Sequence, residues 1–246
     1  MLVPAYLPPY ILIGTVAIVV TVLVGLHRAL KRERWPDRDR KRAVLSVATL
    51  LLGWYLATLV LAWFEFYRGA SSRVPTIQYG LLIPIIVGVV LAWKWKMLGR
   101  VIEAVPQEWL VGVQLYRALG LIFLVLYAAG RLPGAFALPA GVGDVIVGLV
   151  APVVGIAYAR NGTNAAGLVR VWNLFGIADL IVAVGTGLLT SPSPVQMLAF
   201  DAPNELISAF PLVMVPVFLV PLSILLHLAS LKKLQQTKDE TKSSNV

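Results

Sequence analysis

The sequence predicts an all-α integral membrane protein, a bundle of seven transmembrane helices with its N-terminus outside and its C-terminus in the cytoplasm. Three observations predict it. The 246 residues are 59% hydrophobic and only 13% charged, which is more apolar surface than a soluble core hides. Uncharged apolar runs recur along the chain, and one crossing needs about 20 mostly apolar residues. Lys and Arg gather in alternate loops, as they do on the cytoplasmic side of membrane proteins.

Seven segments are long enough to cross, near 10–26, 43–63, 76–93, 109–130, 139–158, 171–189 and 206–231. Together they form one domain over 1–234, followed by a polar tail over 235–246 expected to be disordered. The first segment follows Met1–Tyr6, a stretch with no basic residue, and no small-residue cleavage site comes after it. It is therefore expected to stay in place as a helix and not to be removed as a signal peptide. The second follows a basic loop, and Trp63, Trp93, Trp95 and Trp109 stand at segment ends as interfacial aromatics do. The loop Ser191–Ser208 holds four prolines or serines in a row and then Asp201, Pro203, Asn204 and Glu205; it reads as a plain connection or as a short lid. The last segment carries Pro211, Pro216 and Pro221, each removing a backbone donor, so it is expected to be kinked or locally unwound.

Orientation follows from the basic residues. Arg28, Lys31, Arg32, Arg34, Arg38, Arg40, Lys41 and Arg42 follow the first segment, and Lys94, Lys96 and Arg100 the third. Arg160 and Arg170 lie between the fifth and sixth, and Lys232, Lys233, Lys238 and Lys242 follow the seventh. These 17 face only Arg68, Arg73 and Arg131 on the other side. The net charge of +9 is thus a topology signal and does not call for nucleic acid. With no cysteine, disulfides, thiolate metal sites and covalently attached haem are excluded.

A few polar residues break the apolar runs, and charges inside hydrocarbon tend to face a bundle interior and to mark function. Arg117 and Gln114 fall in the fourth segment, Asp144 in the fifth, Asn173 and Asp179 in the sixth. Counting from the cytoplasmic entries at Trp109 and Val171, Arg117 and Asp179 both lie about 12 Å deep at 1.5 Å per residue. They are expected to pair, with Gln114 and Asn173 one layer nearer the cytoplasm and Asp144 as a second partner or separate ionisable site. Gly141, Asp144, Gly148, Ala151 and Gly155 share one helical face, and Gly176, Asp179, Ala183 and Thr186 another. Small residues at that spacing let helices approach closely.

His27 and His227 end the first and last segments at the cytoplasmic boundary, where two facing imidazoles are weak candidates for axial ligands of a b-type haem. No other cofactor is expected. No nucleophile–base pair, metal triad or phosphate loop is present, so an enzyme ranks last.

The runs Pro106-Gln107-Glu108-Trp109 through Gln114-Leu115-Tyr116-Arg117, then Leu138–Asp144 and Trp172–Asp179, resemble an uncharacterised family of polytopic bacterial inner-membrane proteins. The resemblance implies a multi-pass protein of the bacterial inner membrane and carries no activity with it. The residues themselves point to a polar site among helices four to six that serves transport of a small molecule, ion or proton, or ligand sensing. In this reading Arg117 binds an anionic group or holds Asp179, Asp179 and Asp144 couple to protons, and Gln114 and Asn173 orient a ligand. A non-catalytic subunit of a larger membrane complex is the alternative, and a b-haem electron-transfer protein comes third. The bilayer is the expected partner, with other membrane subunits or further copies of the chain beside it.

Overall fold

A computed structural model describes residues 3–70, 72 and 74–243. Met1 and Leu2, Arg73 of the less basic side, and the tail residues 244–246 lie outside them. Among the described residues the chain is helical throughout, with no strand. Six stretches are long and apolar enough to cross a membrane, as a multi-pass membrane protein requires. They include α1 (Leu7–Arg32), α2 (Asp37–Trp63) and α3 (Ile77–Lys94). The longest, Gly134–Thr190, would reach about 85 Å if straight. It folds back instead at a 3-10 turn, Gly162–Ala165, which divides it into α7 (Gly134–Asn161) and α8 (Ala166–Thr190). Gly162 makes the reversal possible, since its φ of 55° suits a residue without a Cβ.

The fourth expected segment is a composite. A short α5 (Gln107–Gly112) passes into a 3-10 helix, Val113–Gly120, and then into α6 (Leu121–Ala128). Before it lies α4 (Lys96–Ala104), a helix where hydropathy predicts only the connection between the third and fourth segments. Its apolar side, Met97, Leu98 and Val101, joins a cluster with Leu26, Leu30, Ala43 and Leu110, while Lys96, Arg100 and Glu103 stay exposed. Nine residues make about 14 Å of amphipathic helix, too short for a crossing.

The seventh segment differs most. Residues 209–213 hold no regular helix, a π-helix spans Val215–Leu219, and α9 begins only at Val220. Local unwinding beside Pro211, Pro216 and Pro221 has the expected cause, the donors that proline lacks. At its other end α9 runs on to Ser243, through the residues from Gln235 that composition assigns to a disordered tail. Leu234 is buried against Val111 and Trp172, and Gln236 bonds Glu103, so the helix keeps neighbours past the apolar run.

Helix α7 occupies the centre, packed on one side against α5, the 3-10 helix and α6 and on the other against α8; α9 lies against α8, α5 and α3. Helices α2 and α3 flank this group and bury little of their surface. One end of the molecule gathers Arg32 beside Glu108, Lys233 on the Glu103 carbonyl and Lys232 on the Ala92 carbonyl, and is called the basic end below. The other carries the Ser191–Ser208 loop, tied down where Asn204 N–H donates to the Thr190 carbonyl at 2.9 Å.

Candidate functional site

The 3-10 geometry sets the register of the polar residues. With three residues per turn, side chains three apart eclipse one another, so Gln114, Arg117 and Gly120 share one face of Val113–Gly120. That face is turned into the bundle. Gln114 is completely buried, and the Arg117 side chain is only 2% exposed.

Arg117 is the hub. Its Nε donates to Asp144 Oδ1 at 2.8 Å, and Nη2 reaches the same oxygen at 2.8 Å. Nη2 also donates to Asp179 Oδ2. Nη1 donates to the Gly176 carbonyl at 3.1 Å and meets His227 Nε2 at 3.2 Å. An arginine has only donors, so His227 Nε2 must be the acceptor. Its Nδ1 is then protonated and donates to Asn173 Oδ1 at 2.9 Å. Asn173 in turn donates from Nδ2 to Ser230 Oγ and to the Val169 carbonyl, both at 2.8 Å. Gln107 donates to the same Ser230 hydroxyl. His227 is therefore a neutral imidazole, fixed by bonds at both nitrogens, with its ring 4.9 Å from that of Trp172 and tilted by 50° to it.

The structure thus brings Arg117, Asp179, Asp144 and Asn173 into one connected cluster. Gln114 lies on the Arg117 face but both its amide atoms lack a hydrogen-bond partner. His227 lies elsewhere than hydropathy predicts. Ending the last segment at Leu231 puts it near the membrane boundary, yet α9 extends well beyond and holds His227 fully buried against Arg117. His27 is exposed on α1. As placed, His227 has no nitrogen free for a haem iron. Among the described residues no group of three His, Asp or Glu side chains is arranged to hold a metal. Gln107, Ser230 and Trp172 also belong to the cluster; Ser230 and Trp172 stand inside apolar runs, and Gln107 precedes one, between Pro106 and Glu108.

Glycines make the cluster fit. A Cβ on Gly143 would overlap Asp179 Oδ1, one on Gly176 would overlap the His227 ring, and one on Gly120 would stand 2.5 Å from Asp144 Cβ. Gly148 serves packing alone: a Cβ there would strike the backbone of Ala118. Glycines of these helices therefore do two jobs, close helix approach at Gly148 and seats for the cluster's side chains at Gly120, Gly143 and Gly176.

Two cavities meet at Asp144. One, about 40 Å³, lies between α1 and the 3-10 helix and is lined by Tyr10, Tyr116, Arg117, Asp144 and Ser223. The other, about 100 Å³, runs from Asp144 toward the Ser191–Ser208 loop, past Phe123, Phe136, Leu180 and Ala183 to Tyr67, Gln78 and Ser208. Ser191, Pro192, Ile207 and Ser208 wall its far end, so the loop borders a cavity that reaches the charged cluster.

No curated protein and no solved structure matches the chain. Residues 74–235 match the family described as Domain of unknown function (DUF8737), a stretch that covers every member of the Arg117 cluster. That stretch is well over half of the chain, and the chain belongs to this family.

Proposed function

We propose that the protein is a seven-crossing transporter of the bacterial inner membrane, with the basic end in the cytoplasm, in which the Arg117–Asp144–Asp179 layer exchanges a proton or cation. One observation carries this reading. With each group in its ordinary state at neutral pH, the layer holds one arginine against two carboxylates beside a neutral histidine, hence one negative charge too many. An uncompensated charge in a low-dielectric interior costs several kcal/mol, on the order of the penalty for breaking a buried pair, and a bound proton or cation removes it. Asp144 is the natural acceptor because it alone of the two carboxylates lines both cavities. Fold-back of Gly134–Thr190 at Gly162 supports counting seven crossings, and the 17-to-3 distribution of basic residues supports the orientation.

A pH jump across liposomes containing the purified protein tests the reading without knowledge of a substrate. Wild type should give a transient charge displacement on a capacitive electrode, and Asp144→Asn should abolish it. No displacement in wild type, or an equal one in the variant, sinks the proposal.

A second reading, a subunit of a larger membrane assembly, draws on the sparsely buried α2 and α3. Between them and α9 lies an apolar groove of about 670 Å³ lined by Leu50, Trp54, Val87 and Leu225, suited to a transmembrane helix of another chain. Native mass of the protein extracted from its own membrane, showing a second chain in fixed ratio, would favour it.

A further inference from the structure

We infer that the cavity between Asp144 and the Ser191–Ser208 loop binds a small organic ammonium ion, which competes with a proton for Asp144. The inference rests on the exchange reading above and adds the chemical class of the ligand.

Three features of the cavity select it. First, Asp144 takes both its bonds from Arg117 on Oδ1. Among the described residues no hydrogen bond reaches Oδ2, and Asp144 is part of the cavity wall. A carboxylate oxygen without a donor, in a layer short of one positive charge, calls for a cation or a proton.

Second, Asp144 is the only charged residue among the described walls, which are otherwise mostly apolar and include Phe123, Phe136, Leu180 and Val215. Calcium or magnesium needs about six oxygen ligands or retained waters, and these walls do not supply them. An alkylammonium needs one strong acceptor for its head, while its chain prefers apolar walls and aromatic faces attract its charge.

Third, the size is limiting. The volume is about 100 Å³, against about 150 Å³ for a cavity known to hold benzene, which leaves space for about four or five heavy atoms. When the ammonium arrives, the proton on Asp144 leaves to water, so charge in the layer stays balanced in either state. Exchange of one for the other is the coupling step.

The probe is n-butylammonium, titrated calorimetrically into the full chain in lipid nanodiscs, with 1-butanol and butyrate as neutral and anionic counterparts. Butylammonium should bind, its apparent Kd rising toward tenfold per pH unit on acidification as protons compete. The two counterparts should bind at least tenfold more weakly. Asp144→Asn should weaken butylammonium at least tenfold. Ala183→Leu, which fills the cavity without changing a charge, should do the same and keeps the test decisive if Asp144→Asn does not fold. Equal binding of 1-butanol, no pH dependence, or unchanged affinity in a folded variant overturns the inference. If wild type shows the pH-jump current but no butylammonium binding, this inference alone fails. If both are absent, the exchange reading falls with it.

Discussion

Replacing Arg117 should be far more damaging than replacing either carboxylate, and the structure fixes the order. Arg117→Gln removes the only cation of the layer and leaves Asp144 and Asp179 facing each other's charge without a partner. It also strips a donor from the Gly176 carbonyl and from His227. Breaking a buried ion pair from one side costs about 3–5 kcal/mol. Asp179→Asn is a different perturbation. Arg117 keeps Asp144, held through Nε and Nη2, and the layer becomes neutral. What is lost is one charge-assisted hydrogen bond, worth about 1.5–3 kcal/mol, offset by removal of the excess charge, so the net loss should be about 0–2 kcal/mol. At about 2–4 °C per kcal/mol for a chain of this length, Arg117→Gln should lower Tm by about 6–20 °C and Asp179→Asn by less than about 8 °C. The double variant leaves a lone Asp144 and should lose less than the sum of the two, the sign of direct coupling. Thermal unfolding of the four purified proteins in one detergent closes the cycle. Equal losses for Arg117→Gln and Asp179→Asn would refute the reasoning, because Asp144 would then not be compensating the arginine.

Two further outcomes follow from geometry and topology. Gly143→Ala should push Asp179 away from Arg117 and cost about 1–3 kcal/mol as overpacking does, whereas Leu149→Ala on the exposed face of the same helix should stay within about 0.5 kcal/mol; similar Tm values for both would remove the claim that Gly143 seats the carboxylate. Reporter fusions after Lys96 and Asn161 should read cytoplasmic and those after Gly134 and Ser193 external, and an external reading at Asn161 would break the seven-crossing arrangement.

The pairing of Arg117 with Asp179 was legible because each lies eight residues into its apolar segment, and the longer rise of the 3-10 turns at Val113–Arg117 displaces the match by only about 2 Å. Asp144 and Asp179 stood out for the same reason that they matter, as charges in apolar runs. His227 was misplaced because hydropathy marks where an apolar run stops and not where a helix stops, and α9 continues through Lys232 and Gln236 to Ser243. Helix α4 escaped because its apolar side is only a few residues long and is completed by Leu26 and Ala43 from other helices. Val147, beside the glycine stripe, is fully buried, and its carbonyl accepts the Trp172 indole N–H. One sequence cannot show that, since the partner comes from α8.

The 3-10 helix at Val113–Gly120 has a mechanical consequence. A 3-10 turn advances about 2.0 Å and 120° per residue, an α-turn about 1.5 Å and 100°. If these eight residues rewound as α-helix, the segment would shorten by about 4 Å and Gln114 and Arg117 would separate by about 60° around the axis. The two side chains would then no longer share one face of the helix. Both end helices, α5 and α6, would have to rotate or be drawn together to follow. A change of winding within eight residues would thus be felt at both ends of the composite helix, with the arginine at its centre.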